Sequence, residues 1–364
     1  MVEKELFALL RLGLGNSTPE EENLSDFIMM SEEHWAHLGE MALAQGVLGI
    51  VMDGLERLEA SPYGPTRALS KQQKLEWIGQ VMQIEQRNRH QIDVMNGLAQ
   101  KWIQEGCKVM VMKGQANGTL YPKPLHRSPG DIDCYLFENY QIGNEIAKKE
   151  GAAVDEGWYK HSQISYKGEL FENHLFFVHT REGQRSKRLQ KELEQKLHVT
   201  EWSNFSESEV LLPPVQWNAM FLTYHACAHF LSEGLRLKQI LDWAMFLKKE
   251  QNNVDWKAFY EYCDRYHFRK FADAMTAISV ENLGVRIENL GVTKKSPYVE
   301  KILRSTLYDD DYIYNAGETI WKSRWHVIRS LFKYRWRYEE IYQESIFKQL
   351  WWYFTGFLFH TDKS

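Results

Sequence analysis

At 364 residues the chain exceeds the roughly 250–300 residues at which a single core usually stops growing, so two or three packed units are expected. A net charge of -5 with 26% charged residues excludes a wholesale nucleic-acid coat protein, because phosphate binding favours a basic domain, although local basic patches remain open. The four cysteines (Cys107, Cys134, Cys227, Cys263) lie far apart without a CxxC pair, which excludes a disulfide framework and predicts reduced thiols of a cytoplasmic protein.

The opening MVEKELFALLRLGLGNSTPEEE lacks the leading charge, apolar core and small-residue site of a secretory leader, and reads as the first helix of the fold. Over residues 4–58 apolar side chains recur at three- and four-residue steps, which predicts helices. ASPYGPT (60–66) reads as a turn or linker, and a long polar-faced helix is expected over 71–104, stopped by Gly106. CKVMVM (107–112) then reads as a first strand and DIDCYLF (131–137) as a second, with a helix over 141–151 behind it. Two further strands are expected in WYKHSQISYKGELFENHLFFVH (158–179), reversing at Tyr166-Lys167-Gly168-Glu169. The stretch 180–209 is charged and poor in strand signals. From Pro213-Pro214 onward the pattern is helical, with VQWNAMFLTYHACAHFL and LRLKQILDWAMFLKKE separated by Ser232-Glu233-Gly234.

This predicts an α+β protein: a helical region over 1–104, a small α/β core with a mixed sheet over 105–210, and a helical domain over 211–364. No stretch approaches the roughly 20 apolar residues of a membrane span, and LWWYFTGFLF (350–359) suits a core or an interface better.

The chemistry concentrates in VMKGQANGTLYPKPLHRSPGDIDCYL (111–136). Residues i and i+2 of a strand share a face, so Asp131 and Asp133 set two carboxylates side by side, while Ile132, Cys134 and Leu136 anchor the strand in the core. Like charges this close are unfavourable unless a cation joins them, and carboxylate oxygens suit Mg²⁺ or Mn²⁺. The preceding loop offers Gly114 for close backbone approach, Lys113 as a point charge, and Arg127 as a planar fork for phosphate oxygens. A two-metal phosphoryl transfer wants a third carboxylate. Glu172, which alternates onto one face with Leu170, His174 and Phe176, is the candidate, ahead of Glu169.

KGQANGTLYPKPLHRSPGDIDCYL resembles the signature of the uncharacterised nucleotidyltransferase family within the polymerase-β-like nucleotidyltransferase superfamily: a Lys-Gly turn, a Tyr-Pro stretch, and an Arg before Gly-Asp-Ile-Asp. The weaker resemblance outside it extends over most of the chain, including the N-terminal helices, FENHLFF and HACAHFLSEGLRLKQILDWAMFL. It implies that Gly114 belongs to the glycine-turn motif, that Asp131 and Asp133 are the first two metal ligands, and that Glu172 is the third carboxylate. It further implies transfer of a nucleoside monophosphate from an NTP to a hydroxyl acceptor: a small molecule, a protein or an RNA. The turn departs from the broader pattern, with Gly-Gln in place of Gly-Ser or Gly-Gly and a longer distance to the aspartates.

Two other constellations stand apart. His225 and His229, four residues apart on a helix, could share a metal, but the intervening Ala-Cys-Ala lacks a zinc-protease glutamate, so polar lining of the cleft or satisfied core histidines near Asp242 is favoured. In WKSRWHVIRSLFKYRWR (321–337), Trp321, Trp325, Ile328, Phe332 and Trp336 fall on one helical stripe amid six Lys/Arg residues. The favoured reading is an aromatic face docked on the core with a solvated basic back. The alternatives are an RNA- or nucleotide-facing wall or a peripheral membrane contact. The rival to catalysis is a non-catalytic nucleotide-binding or interaction protein that keeps the fold and is recruited through residues 321–359.

Overall fold

The computed structural model describes residues 2–62, 69–180, 183–198, 201–289, 291–309 and 328–351. Four helices come first: α1 (Glu3–Leu14), α2 (Leu24–Ile28), α3 (Glu32–Ala44) and α4 (Leu48–Ala60). α1 and α4 cross in close contact because each offers a glycine there. A Cβ on Gly13 would lie 2.0 Å from the Ile50 carbonyl oxygen, and one on Gly54 would lie 2.0 Å from that of Leu9. The long α5 (Lys71–Gln104) starts at Ser70, whose hydroxyl accepts from the Gln73 N–H at 3.3 Å. It stops at Gly106, whose positive φ of 83° lets the Cys107 N–H turn back to the Trp102 carbonyl at 2.9 Å.

The five strands are β1 (Met110–Met112), β2 (Ile132–Tyr135), β3 (Ala153–Asp155), β4 (His161–Tyr166) and β5 (Glu169–His174), in the spatial order β1-β2-β5-β4-β3. The fold is mixed α+β, as expected. β2 and β5 pair in parallel and the other neighbours are antiparallel. β4 and β5 form the expected hairpin, with φ of 48° at Lys167 and 83° at Gly168, the two left-handed positions of a primed turn. Between strands lie the short α6 (Gly114–Gly118) and α7 (Tyr140–Lys149).

One face of the sheet packs on α5 and α7. Ile132, Cys134, Ile164 and Phe171 are buried there with Leu98 and Trp102 of α5, and Asn173 and Ser162 hydrogen bond to Asn144 of α7. Because side chains alternate, the opposite face carries Asp133, Glu172, His174 and His161. The 180–209 stretch contains a helix, α8 (Gln184–Gln195), whose apolar side is only Leu189 and Leu193. Then follow α9 (Val215–Ser232), α10 (Leu237–Glu250), α11 (Trp256–Arg265), α12 (Arg269–Glu281) and α13 (Val299–Tyr308).

In space, α1–α4 and α9–α13 share one apolar cluster, in which Leu9, Leu10, Val51 and Leu55 join Trp217, Phe221, Leu241 and Phe271. The sheet and the second half of α5 hold a separate cluster.

Of the aromatic stripe in 321–337, Trp321 and Trp325 lie outside the described residues, as do residues 352–359 of the apolar run. Trp336 packs edge-on against Phe230 at 5.5 Å, whereas Phe332 is exposed. Arg337 departs from the expected solvated basic back. It is buried, donating to the Phe230 carbonyl at 3.0 Å and the Ser305 hydroxyl at 2.7 Å, because the helix end it sits on faces α9 and α13. Among the described residues no helix is long and apolar enough to cross a membrane.

Candidate functional site

The site begins where β1 ends. Lys113 takes φ 50° and ψ −125°, a backbone conformation that a residue with a side chain rarely adopts, and this turns the chain from β1 into α6. Gly114 follows with a different role: a Cβ there would stand 3.3 Å from the Asp131 carbonyl oxygen, so its lack of a side chain lets α6 lie close to the entrance of β2.

The polar loop between α6 and β2 is fixed by buried amides. Asn88 of α5 donates to the carbonyls of Leu125 (2.7 Å) and Arg127 (2.8 Å), Gln91 donates to those of Gly130 (2.6 Å) and to Glu169 (2.7 Å), and Gln115 of α6 bridges Asn88 and Gln91. Buried donors and acceptors left unmatched would be costly, so this network holds the loop in one arrangement.

β2 and the residue just before it then deliver the aspartates, Asp133 from within the strand and Asp131 from its entrance. Asp133 is level with Glu172 across the parallel β2–β5 pair. Asp131, Asp133 and Glu172 each bring one carboxylate oxygen into a group whose members all lie within 4.8 Å of one another. Two strands distant in sequence thus place three anionic groups around one point, an arrangement suited to a divalent cation.

Cationic and imidazole groups surround them. The Lys113 ammonium pairs with Asp133 Oδ1. His174 Nε2 lies 2.8 Å from the same oxygen and 3.4 Å from Glu172 Oε2, and His161 Nε2 lies 3.3 Å from Glu172 Oε1. Burial pushes the Glu172 carboxyl up, but the His174 hydrogen bond and the Lys113 charge outweigh it and hold its pKa at about 2. Asp133 is likewise held below the usual range: burial opposes this, and Lys113 and His174 prevail. Burial lowers His161 to about 4, so its imidazole is neutral near pH 7.

Two lysines that the sequence did not single out complete the electrostatics. Lys160, just before β4, has a lowered pKa, from burial first and then from the nearby Lys113 charge, with Glu172 and Asp133 opposing. Lys238 of α10 is also lowered, by burial and then by Arg127, with Asp242 and Asp131 opposing. Neither has an ion-pair partner among the described residues, so each presents an unpaired cation beside the carboxylates. No local sequence pattern marks them, because both reach the site through tertiary packing.

Arg127 is placed differently from its expected role as an open phosphate fork. It is buried and bound at two points to Asp242 of α10, Nε to Oδ1 and Nη2 to Oδ2, each at 2.8 Å. Tyr121 (2.8 Å) and Asn117 (3.1 Å) donate to the same carboxylate, tying the loop to the helical body. Glu169 stands apart from the carboxylate cluster, held by Gln91 of α5.

His225 and His229 of α9 lie with ring centroids 4.4 Å apart, and His229 pairs with Glu233 at 3.1 Å. Burial, reinforced by Lys113, holds His225 well below its usual pKa, which makes it neutral lining of this cleft. Neither histidine belongs to a metal-sized group of ligands among the described residues.

Fold and site together define the class: an α+β protein that gathers three carboxylates from two neighbouring parallel strands beside a lysine-bearing turn. The chain belongs to the uncharacterised nucleotidyltransferase family, whose pattern it matches over residues 31–284. That span holds every residue of the site described above. No match to a curated protein or to a solved structure was found.

Proposed function

We propose that the protein transfers a nucleoside monophosphate from an NTP to a hydroxyl-bearing acceptor. The observation that carries this reading is the convergence of Asp131, Asp133 and Glu172 within 4.8 Å in a chain of a nucleotidyltransferase family. The all-oxygen donor set suits Mg²⁺ or Mn²⁺. Bound there, such ions would neutralise the triphosphate and make the acceptor hydroxyl easier to ionise.

Asp131 and Asp133 would hold the ions, with Glu172 completing the set on the acceptor side. Lys113, Lys160 and Lys238 would neutralise phosphate oxygens, and Gly114 would let backbone approach them closely. Arg127 would act from its pairing with Asp242, as the anchor of the loop. In the reaction the acceptor oxygen bonds to the α-phosphorus while the bond from that phosphorus to the bridging oxygen breaks. The hydroxyl proton passes to solvent, and pyrophosphate leaves with the electron pair. The acceleration comes mainly from positioning and charge neutralisation.

The test is incubation with each of four α-³²P-labelled NTPs, Mg²⁺ or Mn²⁺, and a cell extract as acceptor source, beside an Asp131→Ala/Asp133→Ala control. Label moved by the wild type alone is the expected result, and the labelled product shows the acceptor class. Metal-dependent NTP binding without transfer would favour a non-catalytic binding protein. Absence of both would overturn the reading.

A further inference from the structure

We propose that His161, Glu172 and His174 form a second cation site, one bearing nitrogen ligands, which takes a divalent transition ion of the Zn²⁺ class. It shares Glu172 with the carboxylate cluster but stands whether or not a nucleotide is transferred.

Three observations converge. First, the ligand atoms of these three residues all lie within 4.8 Å of one another. β4 and β5 pair His161 directly with His174, their rings 5.4 Å apart, and Glu172 lies two residues before His174 on the same face. Glu172 turns Oε1 toward His161 and Oε2 toward His174.

Second, a backbone carbonyl orients His174. Its Nδ1 lies 3.2 Å from the Phe176 carbonyl oxygen, which can only accept, so that nitrogen carries a proton. The other ring nitrogen, Nε2, is thereby aimed at the carboxylates, 2.8 Å from Asp133 Oδ1 and 3.4 Å from Glu172 Oε2. Donating the other ring N–H to a backbone carbonyl is also how metal-binding histidines are oriented.

Third, both ring nitrogens of His161 are buried without a hydrogen-bond partner among the described residues. Trp158 stacks on the ring at 5.9 Å and 18°, fixing its plane against Glu172. A buried polar side chain so held needs a ligand. Imidazole nitrogen favours Zn²⁺, Co²⁺ and related ions over Mg²⁺, which prefers oxygen throughout. The sheet therefore sets two donor chemistries side by side.

The test is titration of the metal-free full chain with Co²⁺, followed by its visible absorption, with Zn²⁺ and Mg²⁺ as competitors. The expected result is a Co²⁺ spectrum that stoichiometric Zn²⁺ abolishes and excess Mg²⁺ does not. His161→Ala should weaken Co²⁺ binding by at least about tenfold, and His37→Asn, at an exposed histidine of α3, should leave it close to wild type. If His161→Ala does not fold by circular dichroism, His161→Asn is measured in its place. Absence of a Co²⁺ spectrum, equal displacement by Mg²⁺, or unchanged affinity in the His161 variant would overturn the proposal. The labelled-NTP assay reads the nucleotidyl-transfer proposal separately: no transfer with intact Co²⁺ binding removes that reading and leaves this one.

Discussion

Asp133 and Glu172 are register partners across the parallel β2–β5 pair, so two carboxylates from distant segments stand level on one sheet face. Glu172→Gln keeps the shape and removes the charge. Single-turnover transfer of labelled nucleotide should fall by about 10²–10³-fold, in the range for losing one preorganised charge-stabilising group. Equilibrium NTP binding should change far less. A variant that transfers at the wild-type rate would remove Glu172 from the reaction.

Lys160 is buried near Glu172 and Asp133 and has no ion-pair partner among the described residues. Lys160→Met preserves most of the apolar stem and removes the cation. Loss of one charge-assisted contact, about 1.5–3 kcal/mol, corresponds to about 10–100-fold weaker NTP binding. Titration with a fluorescent NTP checks this, and an unchanged affinity would place Lys160 outside the phosphate site.

Asp242 accepts from Arg127, Tyr121 and Asn117 in a buried setting. Asp242→Ala leaves all three donors without their partner and should cost about 3–5 kcal/mol. The double variant Arg127→Met/Asp242→Leu removes both charges and should recover part of that loss. Urea unfolding midpoints decide. Equal stability of the single and double variants would show that the buried guanidinium is not the source of the cost.

His126 sits between Asp53, 2.8 Å from Nδ1, and Glu85, 2.7 Å from Nε2. Burial by itself would lower its pKa, but the nearby Asp53 carboxylate and the bond to Glu85 prevail and raise it above the usual 6.5. A group with a raised folded pKa binds more protons folded than unfolded. Its contribution is complete below pH 6.5 and is lost as pH rises through the folded value. Stability of the wild type measured from about pH 5.5 to 8.5 should decline across this window, and His126→Asn should flatten that part of the profile. A wild-type profile without the decline would refute the assignment.

Gly54 meets the Leu9 carbonyl where α1 and α4 cross. Gly54→Ala must push the helices apart, and overpacking of this kind typically costs about 1–3 kcal/mol. Thermal unfolding should show a lowered midpoint, and an unchanged midpoint would mean that the crossing yields without cost.

Much of the site was legible because its signals are local. The two-residue spacing of Asp131 and Asp133 put them on one face, with Ile132 and Cys134 buried behind them, and Lys167-Gly168 marked the hairpin that brings Glu172 back. What the sequence could not display were meetings between distant segments. Nothing near Glu172 specifies a parallel pairing level with Asp133, and nothing near Arg127 announces Asp242. Lys160 and Lys238 are set apart by burial beside charges contributed elsewhere. α8 was missed because a helix resting on only Leu189 and Leu193 leaves a mostly charged sequence. Asn88 and Gln91 looked like the wet side of a helix, yet they are the buried donors that set the site's loop.

The Arg127–Asp242 pair also bears on how the chain comes into being. Its members are 115 residues apart, so as the protein is synthesised the strands, the aspartates and the hairpin all emerge before the partner of Arg127 exists. Until α10 has left the ribosome, the loop ahead of β2 carries a guanidinium, a phenol and an amide with no acceptor to share. The site therefore matures late, when the C-terminal helices dock, and a nascent chain halted before Asp242 would hold its carboxylates in an unfinished setting.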